Sequence, residues 1–266
     1  MSTSPPATTV MEARTVSIPT ADRPGDAGAV PPPTGVESPH PLDNPVLASL
    51  TGPHTRFGER RGDVVRYPTD VSPFLALPVR PTDQDWRDAA ALAGPGALVS
   101  LAGVEAPPRG WDVEARIAGV QLVDDGLDEA PDDGAVRLTA ADVPEMLALT
   151  ERTKPGPFLP RTIELGAYLG IRRDGRLVAM AGERLRPPGW TEISAVCTDA
   201  AHQRQGLATR LVRAVADGIR RRGETPFMHA AASNTNAIRL YEALGFRLRR
   251  TTPFLAVRVP DDLTSE

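Results

Sequence analysis

The chain has 266 residues, 41% of them hydrophobic, and a formal net charge of −4. This length allows one or two domains with a sizeable core. The slightly acidic balance argues against nucleic acid or an anionic membrane surface as a partner. The single cysteine, Cys197, excludes an intrachain disulfide and a cysteine-based zinc site. We find no apolar run of about 20 residues and no secretory signal, so we expect a cytoplasmic protein.

The N-terminal half carries the weaker structural signals. Pro, Ser, Thr, Gly and Ala dominate residues 1–41 without an apolar period, which predicts a disordered tail. Residues 42–130 look folded. Within them "DQDWRDAAALA" predicts a helix over Asp83–Ala93, and short apolar runs predict strands over 96–103 and 116–123. We therefore expect an N-terminal α/β region over 42–130.

The C-terminal half follows an acidic segment with Pro and Gly, residues 124–134, which is typical of a linker. We place the second domain at 131–266. From Val136 the predicted order is β-α-β-β-β-α-β-α-β-β, a mixed sheet with helices on its faces and hence an α/β fold. Asp174-Gly175 between two apolar runs predicts a hairpin. The other predicted elements are helices over 139–152, from 207 onward and over 234–245, and strands over 191–198, 225–232, 246–250 and 254–259.

The sequence "HQRQGLATR", His202–Arg210, follows a predicted strand and opens a helix. The buried face of this helix is predicted by apolar residues at every fourth position, Leu207, Leu211, Val215 and Ile219. The first helical turn has backbone N–H groups without partners and the positive end of the helix dipole, so a phosphate is a natural ligand. Gly206 and Ala208 would let it approach the backbone. Neither a nucleoside-triphosphate P-loop nor a dinucleotide fingerprint matches.

The hexapeptide "QRQGLA", residues 203–208, resembles the pyrophosphate loop for acyl-CoA in the GNAT superfamily of N-acetyltransferases. Two other segments support the resemblance. "ISAVCT" resembles the family's central strand, and "NTNAIRLYEALGF" resembles its later helix with Asn and Tyr. The likeness covers about 136–259 and is greatest to the branch with "PGPF…RT…ELG" and "ETPFMH". Arg204 departs from that branch, which often has Gly there.

The resemblance implies a GNAT-type acyl-CoA transferase fold, acetyl-CoA as cosubstrate and an unidentified amine as acceptor, with no metal. It implies direct transfer of an acetyl group to a primary amine in a ternary complex. The alternative is an acyl-CoA-binding regulatory module without turnover. For residues 42–130 we consider a degenerate GNAT-like half that shapes the acceptor pocket, or a separate binding module. A monomer and a homodimer both stay open.

The resemblance also implies which residues bind the cofactor. They are Val196, Cys197 and Thr198 on the central strand, Gln203, Arg204, Gln205, Gly206, Leu207, Ala208 and Thr209 in the loop and first turn, and Asn234 and Asn236 before the last helix. Strand alternation turns the side chains of Val196 and Thr198 one way and that of Cys197 the other, toward the core. Either asparagine also suits a helix N-cap.

Two residues are candidates for catalysis. The resemblance places Tyr241 at the general-acid position, where a neutral phenol would protonate the leaving thiolate; the alternative is a core aromatic residue. Glu192 lies on the same strand alternation as Val196 and is a candidate general base. Glu183 on the preceding strand competes with it, and water alone would also suffice.

Overall fold

The computed structural model describes residues 40–261. The disordered tail predicted for residues 1–41 therefore lies almost wholly outside the described residues. Of its last two residues, Pro41 begins a short 3-10 turn, Pro41–Asp43, in which the His40 side chain accepts a hydrogen bond from the Leu42 amide. No helix between residues 40 and 261 is long and apolar enough to cross a membrane.

The described chain contains five α-helices and eleven strands. The helices are α1 (Pro45–Leu50), α2 (Asp83–Ala93), α3 (Val143–Thr153), α4 (Leu207–Arg221) and α5 (Thr235–Ala243). The strands are β1 (Glu59–Arg61), β2 (Val64–Arg66), β3 (Leu75–Ala76), β4 (Leu98–Ala102), β5 (Asp112–Asp124), β6 (Val136–Arg137), β7 (Tyr168–Arg173), β8 (Arg176–Glu183), β9 (Trp190–Thr198), β10 (Thr225–Ala231) and β11 (Phe246–Arg258). Three form a small sheet, β1-β2-β3, and eight form the main sheet in the order β4-β11-β5-β10-β9-β8-β7-β6.

Local signals explain several of these elements. Helix α2 has the predicted bounds because Thr82 caps its first turn, where its side chain accepts from the Asp85 amide. The β7–β8 hairpin turns at the predicted pair, with Asp174 at φ 50° and Gly175 at φ 77°, a conformation that Asp and Gly tolerate best. The predicted apolar stripe of α4 is buried throughout. These features confirm a mixed α/β fold.

The last two predicted strands are a single strand, β11, and their separation was wrong. It pairs with β5 from Phe246 to Arg258, with a register shift next to Arg249. Thr251 and Thr252 bridge the two predicted segments, because β-branched residues suit an extended backbone.

Strands from both sides of residue 130 share the main sheet. Strand β5 lies between β10 and β11, and β4 is the edge strand beyond β11. Residues 42–130 therefore supply two strands to the same sheet as residues 131–266. The proposed degenerate half and the boundary at 130 stay predictions.

Different apolar clusters cover the two faces of the sheet around β9. Helices α4 and α5 pack on one face, where Leu211 and Tyr241 join Ile193. Helix α3 packs on the other, where Met146 joins Ala195 and Cys197. A further cluster includes Phe74 from the N-terminal region and Phe227 of β10. Side chains of β9 and β10 can thus be assigned to one face of the sheet by the cluster in which they pack.

His54 gives the fold a dependence on pH. It is buried, its Nδ1 lies 2.9 Å from the Tyr67 hydroxyl, and its Nε2 lies 3.2 Å from the Leu165 carbonyl oxygen. Burial lowers the pKa of His54 to about 4 from 6.5, although the Leu165 carbonyl acts in the opposite direction. The unfolded chain therefore takes up the proton first, so stability is full above pH 6.5 and falls as the pH drops toward 4.

We expect the wild-type protein to lose about 2 kcal/mol more of its free energy of unfolding than His54→Gln between roughly pH 6.5 and pH 5. Urea unfolding at the two pH values measures this difference. If the free energy of unfolding fell by the same amount in both proteins between the two pH values, His54 would not be the cause of the pH dependence.

Candidate active site

The main sheet opens between β9 and β10. These parallel strands pair only from Trp190–Thr225 to Glu192–Phe227. Beyond that point β9 remains paired with β8 as far as Thr198, while β10 remains paired with β5. The diverging strands leave a cavity of about 350 Å³. Because their backbone edges are unpaired there, the opening offers N–H and C=O groups to an elongated ligand.

A bulge in β9 sets which side chains face this cavity. Met180 pairs with Cys197 and Gly182 pairs with Ser194, so Ala195 and Val196 together oppose one residue of β8. Ala195 has φ 53°, which is uncommon outside glycine. The bulge reverses the face of the sheet to which successive side chains of β9 point. Ile193 and Val196 both pack toward α4, whereas Ala195 packs toward α3.

The bulge corrects the predicted alternation along β9. Glu192, next to Ile193, faces away from α4, so it does not share a face with Val196. Val196 lines the cavity, but Cys197 is packed in the α3 cluster and burial raises the pKa of its thiol to about 11. Thr198 lies beyond the lining residues, and its buried Oγ1 has no hydrogen-bond partner among the described residues.

The cavity passes through the sheet and so has two ends. On the α4 and α5 side it is lined by Met228, Ala230, Asn234, Ala237 and Tyr241. On the opposite side it is lined by Phe74, Arg184, Ser194, His229 and Phe254. A ligand entering from the α4 side can therefore meet a second ligand entering from the other side.

The turn before α4 presents free amides to solvent. Gly206 is the N-cap residue at φ 72° and makes no side-chain capping bond. The Arg210 amide donates to the Gly206 carbonyl, so the amides before it in the first turn have no intrahelical acceptor. No atom lies within 4 Å of a Cβ built on Gly206. A phosphate can therefore reach these amides and the positive end of the helix.

The other loop residues fall into two groups. Gln203, Arg204 and Gln205 are exposed, whereas Leu207 is buried in the core and Ala208 and Thr209 are half-buried. Arg204 has φ 61°, in the left-handed region that favours glycine. This backbone conformation gives a physical reason why Gly suits the position and why Arg204 is a strained departure from it.

Tyr241 lies at the wall of the cavity on the α5 side. Its side chain is 7% exposed, and its ring packs edge-on against Phe246 at 6.4 Å between centroids. Burial raises the pKa of its phenol to about 12, and the nearby Cys197 adds to the effect. No group among residues 40–261 hydrogen-bonds its hydroxyl, so a ligand in the cavity can accept that proton. The residue is therefore both a core aromatic residue and part of the cavity wall, and its role as a general acid stays a prediction.

The two asparagines of the predicted cofactor set differ in position. Asn234 caps α5, with its Oδ1 accepting from the Ala237 amide at 3.2 Å, and it also lines the cavity. Asn236 is exposed on the first turn of α5 and is outside the lining set.

Glu192 is fully buried in an ion pair. Arg184 donates to both carboxylate oxygens, with Nε 2.9 Å from Oε2 and Nη2 2.7 Å from Oε1. Burial acts to raise the pKa of Glu192, but the charge and hydrogen bonds of Arg184, together with His229, outweigh it and hold the pKa well below its usual range. Such a carboxylate is a weak base with no exposed surface. Glu183, the competing candidate, is buried against Arg222 and is outside the cavity lining.

His229 completes this buried network. Its Nδ1 lies 2.8 Å from Oε1 of Glu192, and its Nε2 lies 3.1 Å from Nε2 of Gln121. The amide of Gln121 is oriented by Arg249, which donates to its oxygen, and by the Leu42 carbonyl, which accepts from its nitrogen. His229 Nε2 therefore accepts a hydrogen bond from the Gln121 amide, while Nδ1 donates one to Glu192. The histidine thus links Glu192 to Gln121 within the buried network.

The comparisons with known proteins agree on one family. Residues 168–255 match the family model described as FR47-like protein. The N-alpha-acetyltransferase RimI of Mycobacterium tuberculosis (strain ATCC 25618 / H37Rv) is 35% identical over 83 residues, which is 30% of this chain and only 51% of that relative. The ribosomal protein bS18-alanine N-acetyltransferase of Escherichia coli (strain K12) is 30% identical over 115 residues, 41% of this chain and 77% of that relative.

A solved structure extends the similarity further. A GNAT-family protein of Novosphingobium aromaticivorans DSM 12444 is 41% identical, with a TM-score of 0.76 over 82% of this chain and 98% of its own. The chain belongs to the GNAT superfamily of N-acetyltransferases. The matched part, 82% of this chain, is longer than residues 131–266. The similarity to this GNAT protein therefore includes part of residues 42–130. The GCN5-related N-acetyltransferase of Kribbella flavida shares the fold, with a TM-score of 0.52 and 21% identity over 79% of this chain and 93% of its own.

The residues present fit the acyl-CoA that GNAT enzymes use. The amides before Arg210 and the open space at Gly206 lie at the start of α4, which packs on the same face of the sheet as Tyr241, and the splayed edge of β9 lines the cavity beside Tyr241. Thr198 adds a buried hydroxyl without a partner among the described residues. No cluster of three or more His, Cys, Asp or Glu that would suit a metal occurs in residues 40–261.

The opposite wall of the GNAT cavity was not predicted. Phe74 and Phe254 come from distant parts of the chain, and Arg184 and Lys154 carried no signal of their own. The only sequence signal was the segment "PGPF", which the resemblance singled out and which lines the cavity through Pro155–Pro157.

Gly206→Glu should weaken acetyl-CoA binding on the order of tenfold or more, because it adds a carboxylate beside the phosphate site and strains a backbone at positive φ. Isothermal titration with acetyl-CoA measures the dissociation constant. Gly218→Glu is the control for the added carboxylate, since Gly218 lies in the last turn of α4, far from Gly206 along the helix, with no atom within 4 Å of a Cβ placed there. Equal affinities in the two variants would contradict the phosphate assignment.

Proposed function

We propose that this protein transfers the acetyl group of acetyl-CoA to a primary amine, directly and within a ternary complex. The observation that carries the proposal is Tyr241 at the wall of the opening between β9 and β10, on the same face of the sheet as α4 with its free N-terminal amides. The names of the relatives, which are N-acetyltransferases, support the reaction class.

We assign acetyl-CoA binding mainly to backbone groups of the protein and less to its side chains. The amides around Gly206 and the dipole of α4 hold the pyrophosphate. The unpaired edge of β9 at Val196 offers backbone groups to the pantetheine arm, and Asn234 lies across from it. Acetyl-CoA, when bound, supplies the thioester whose carbonyl carbon the amine attacks.

Tyr241 acts at the leaving sulfur. As the C–N bond forms and the C–S bond breaks, the phenol donates its proton to the sulfur, so CoA leaves as a thiol. A pKa of about 12 keeps the phenol protonated at neutral pH. The proton lost by the amine goes to water, because the Glu192 carboxylate is buried and held ionised by Arg184.

The test combines binding and turnover. Release of CoA thiol is followed across an amine panel, with thermal unfolding in the presence of acetyl-CoA in parallel. Initial velocities at varied acetyl-CoA and amine should give intersecting double-reciprocal lines, whereas parallel lines would contradict a ternary complex. Stabilisation by acetyl-CoA without turnover of any amine would instead indicate the acyl-CoA-binding module, and no stabilisation would contradict both.

A further inference from the structure

The end of the cavity opposite α4 has a distinct chemistry. Among the described lining residues there is no Asp or Glu, whereas Lys154 and Arg184 are both cations. This end also contains the aromatic rings of Phe74 and Phe254, 6.3 Å apart between centroids, and the polar residues Ser194 and His229. An acceptor that occupies it must suit a positively charged, aromatic wall.

Lys154 is the stronger of the two cations as a ligand group. It is the only lysine among the 30 basic residues of the chain. It ends α3 at φ 53°, directly before Pro155, and this turn brings it to the cavity. It is exposed and forms no salt bridge with any residue between 40 and 261, so its charge is available to a ligand.

Arg184 supports the same preference from deeper in the wall. Its Nε and Nη2 are used by Glu192, but its Nη1 has no hydrogen-bond partner among the described residues. Its guanidinium also lies 5.4 Å from the centre of the Phe74 ring. Lys154 and Arg184 together therefore offer N–H donors to a ligand beside the aromatic ring of Phe74.

We propose that the acceptor is a small amine that carries a carboxylate and an apolar body, such as an amino acid with an aromatic or branched side chain. This rests on the acetyltransferase activity proposed above. Lys154 binds the carboxylate, and Phe74 and Phe254 pack against the apolar body. The nearby cations also favour the neutral form of the attacking amine, since like charges lower its pKa.

Matched acceptors test the preference. The panel contains phenylalanine, phenethylamine and phenylalaninamide, the corresponding leucine, 3-methylbutylamine and leucinamide, and spermidine, each assayed by CoA thiol release. We expect kcat/KM for at least one amino acid to exceed those of its decarboxylated and amide partners about tenfold or more, the effect of a charge-assisted bond.

Variants of Lys154 test whether this residue causes the preference for acceptors that carry a carboxylate. Lys154→Gln should raise KM for that amino acid about tenfold or more with kcat nearly unchanged, and should change KM for the decarboxylated amine much less. Lys154→Arg should keep the low KM, because the charge is retained. Arg173→Gln is the control, since Arg173 is an exposed cation at the end of β7, outside the cavity lining.

The outcomes separate this inference from the proposed function. Turnover of amines, amides or spermidine as good as that of the amino acids overturns the inference and leaves the proposed function standing. A preference for the carboxylate that survives in Lys154→Gln overturns the role of Lys154. No turnover of any amine overturns the proposed function itself.

Discussion

Tyr241→Phe should lower kcat by roughly 10²- to 10⁴-fold while the affinity for acetyl-CoA stays nearly unchanged. The substitution removes only the hydroxyl, which has no hydrogen-bond partner among the described residues, and leaves the ring packed against Phe246. Steady-state kinetics with the best acceptor and isothermal titration with acetyl-CoA measure the two quantities. In the wild-type protein Tyr241 should cause no loss of rate up to about pH 10, because a phenol with a pKa near 12 keeps its proton there.

Tyr168→Phe is the matched control. Tyr168 is also buried, and its hydroxyl likewise has no partner among the described residues, but it packs in the α3 cluster away from the cavity lining. Removal of that hydroxyl should leave kcat unchanged. If Tyr241→Phe instead lost affinity for acetyl-CoA, or lost no rate, Tyr241 would be a packing residue and the general acid would have to be sought elsewhere.

The parts of the site that could be predicted are encoded in short segments. The turn before α4 is predictable because a helix N-terminus and a small residue at positive φ, Gly206, leave a local pattern in the sequence. The hairpin at Asp174-Gly175 is predictable for the same reason, since two residues determine the turn. Tyr241 followed from its place on a helix that the resemblance identified.

The bulge in β9 could not be predicted, and its consequence is large. Alanine does not signal a left-handed backbone, yet Ala195 adopts one. A single extra residue reverses the face of every side chain on one side of it, so alternation assigned Glu192 to the face of Val196 when it lies on the other.

The end of the cavity opposite α4, which we propose for the acceptor, could not be predicted because its residues meet only in the folded chain. Phe74, Lys154 and Phe254 are each separated by about 80 to 100 residues, and none belongs to a motif that names a ligand. Strand β5 from the N-terminal region lies between β10 and β11, so the sheet that holds the cavity depends on pairing across the predicted boundary. Such non-local pairing has no signature in a single sequence.

Glu192→Gln should lower the free energy of unfolding by about 3–5 kcal/mol, because it leaves the Arg184 guanidinium without its counter-charge in a buried place. Gln keeps the shape of the side chain and can still accept from His229, so the loss reports the charge and not a cavity. Urea unfolding measures it. Addition of Arg184→Met should restore part of the stability, since the double variant removes both charges.

Glu114→Gln is the control for the same chemical change at the surface. Its salt bridge to Arg258 spans 2.7 Å with side chains 44% and 45% exposed, so its loss should cost less than about 1 kcal/mol. A catalytic Glu192 would give the opposite pattern: a stable Glu192→Gln protein with a large loss of kcat and a lost acidic limb in the pH–rate profile. Arg184 also lines the end of the cavity that we propose for the acceptor. If Glu192 is structural and that proposal holds, Glu192→Gln should raise KM for the acceptor at temperatures where the variant is folded, because the ion pair orients the Arg184 side chain.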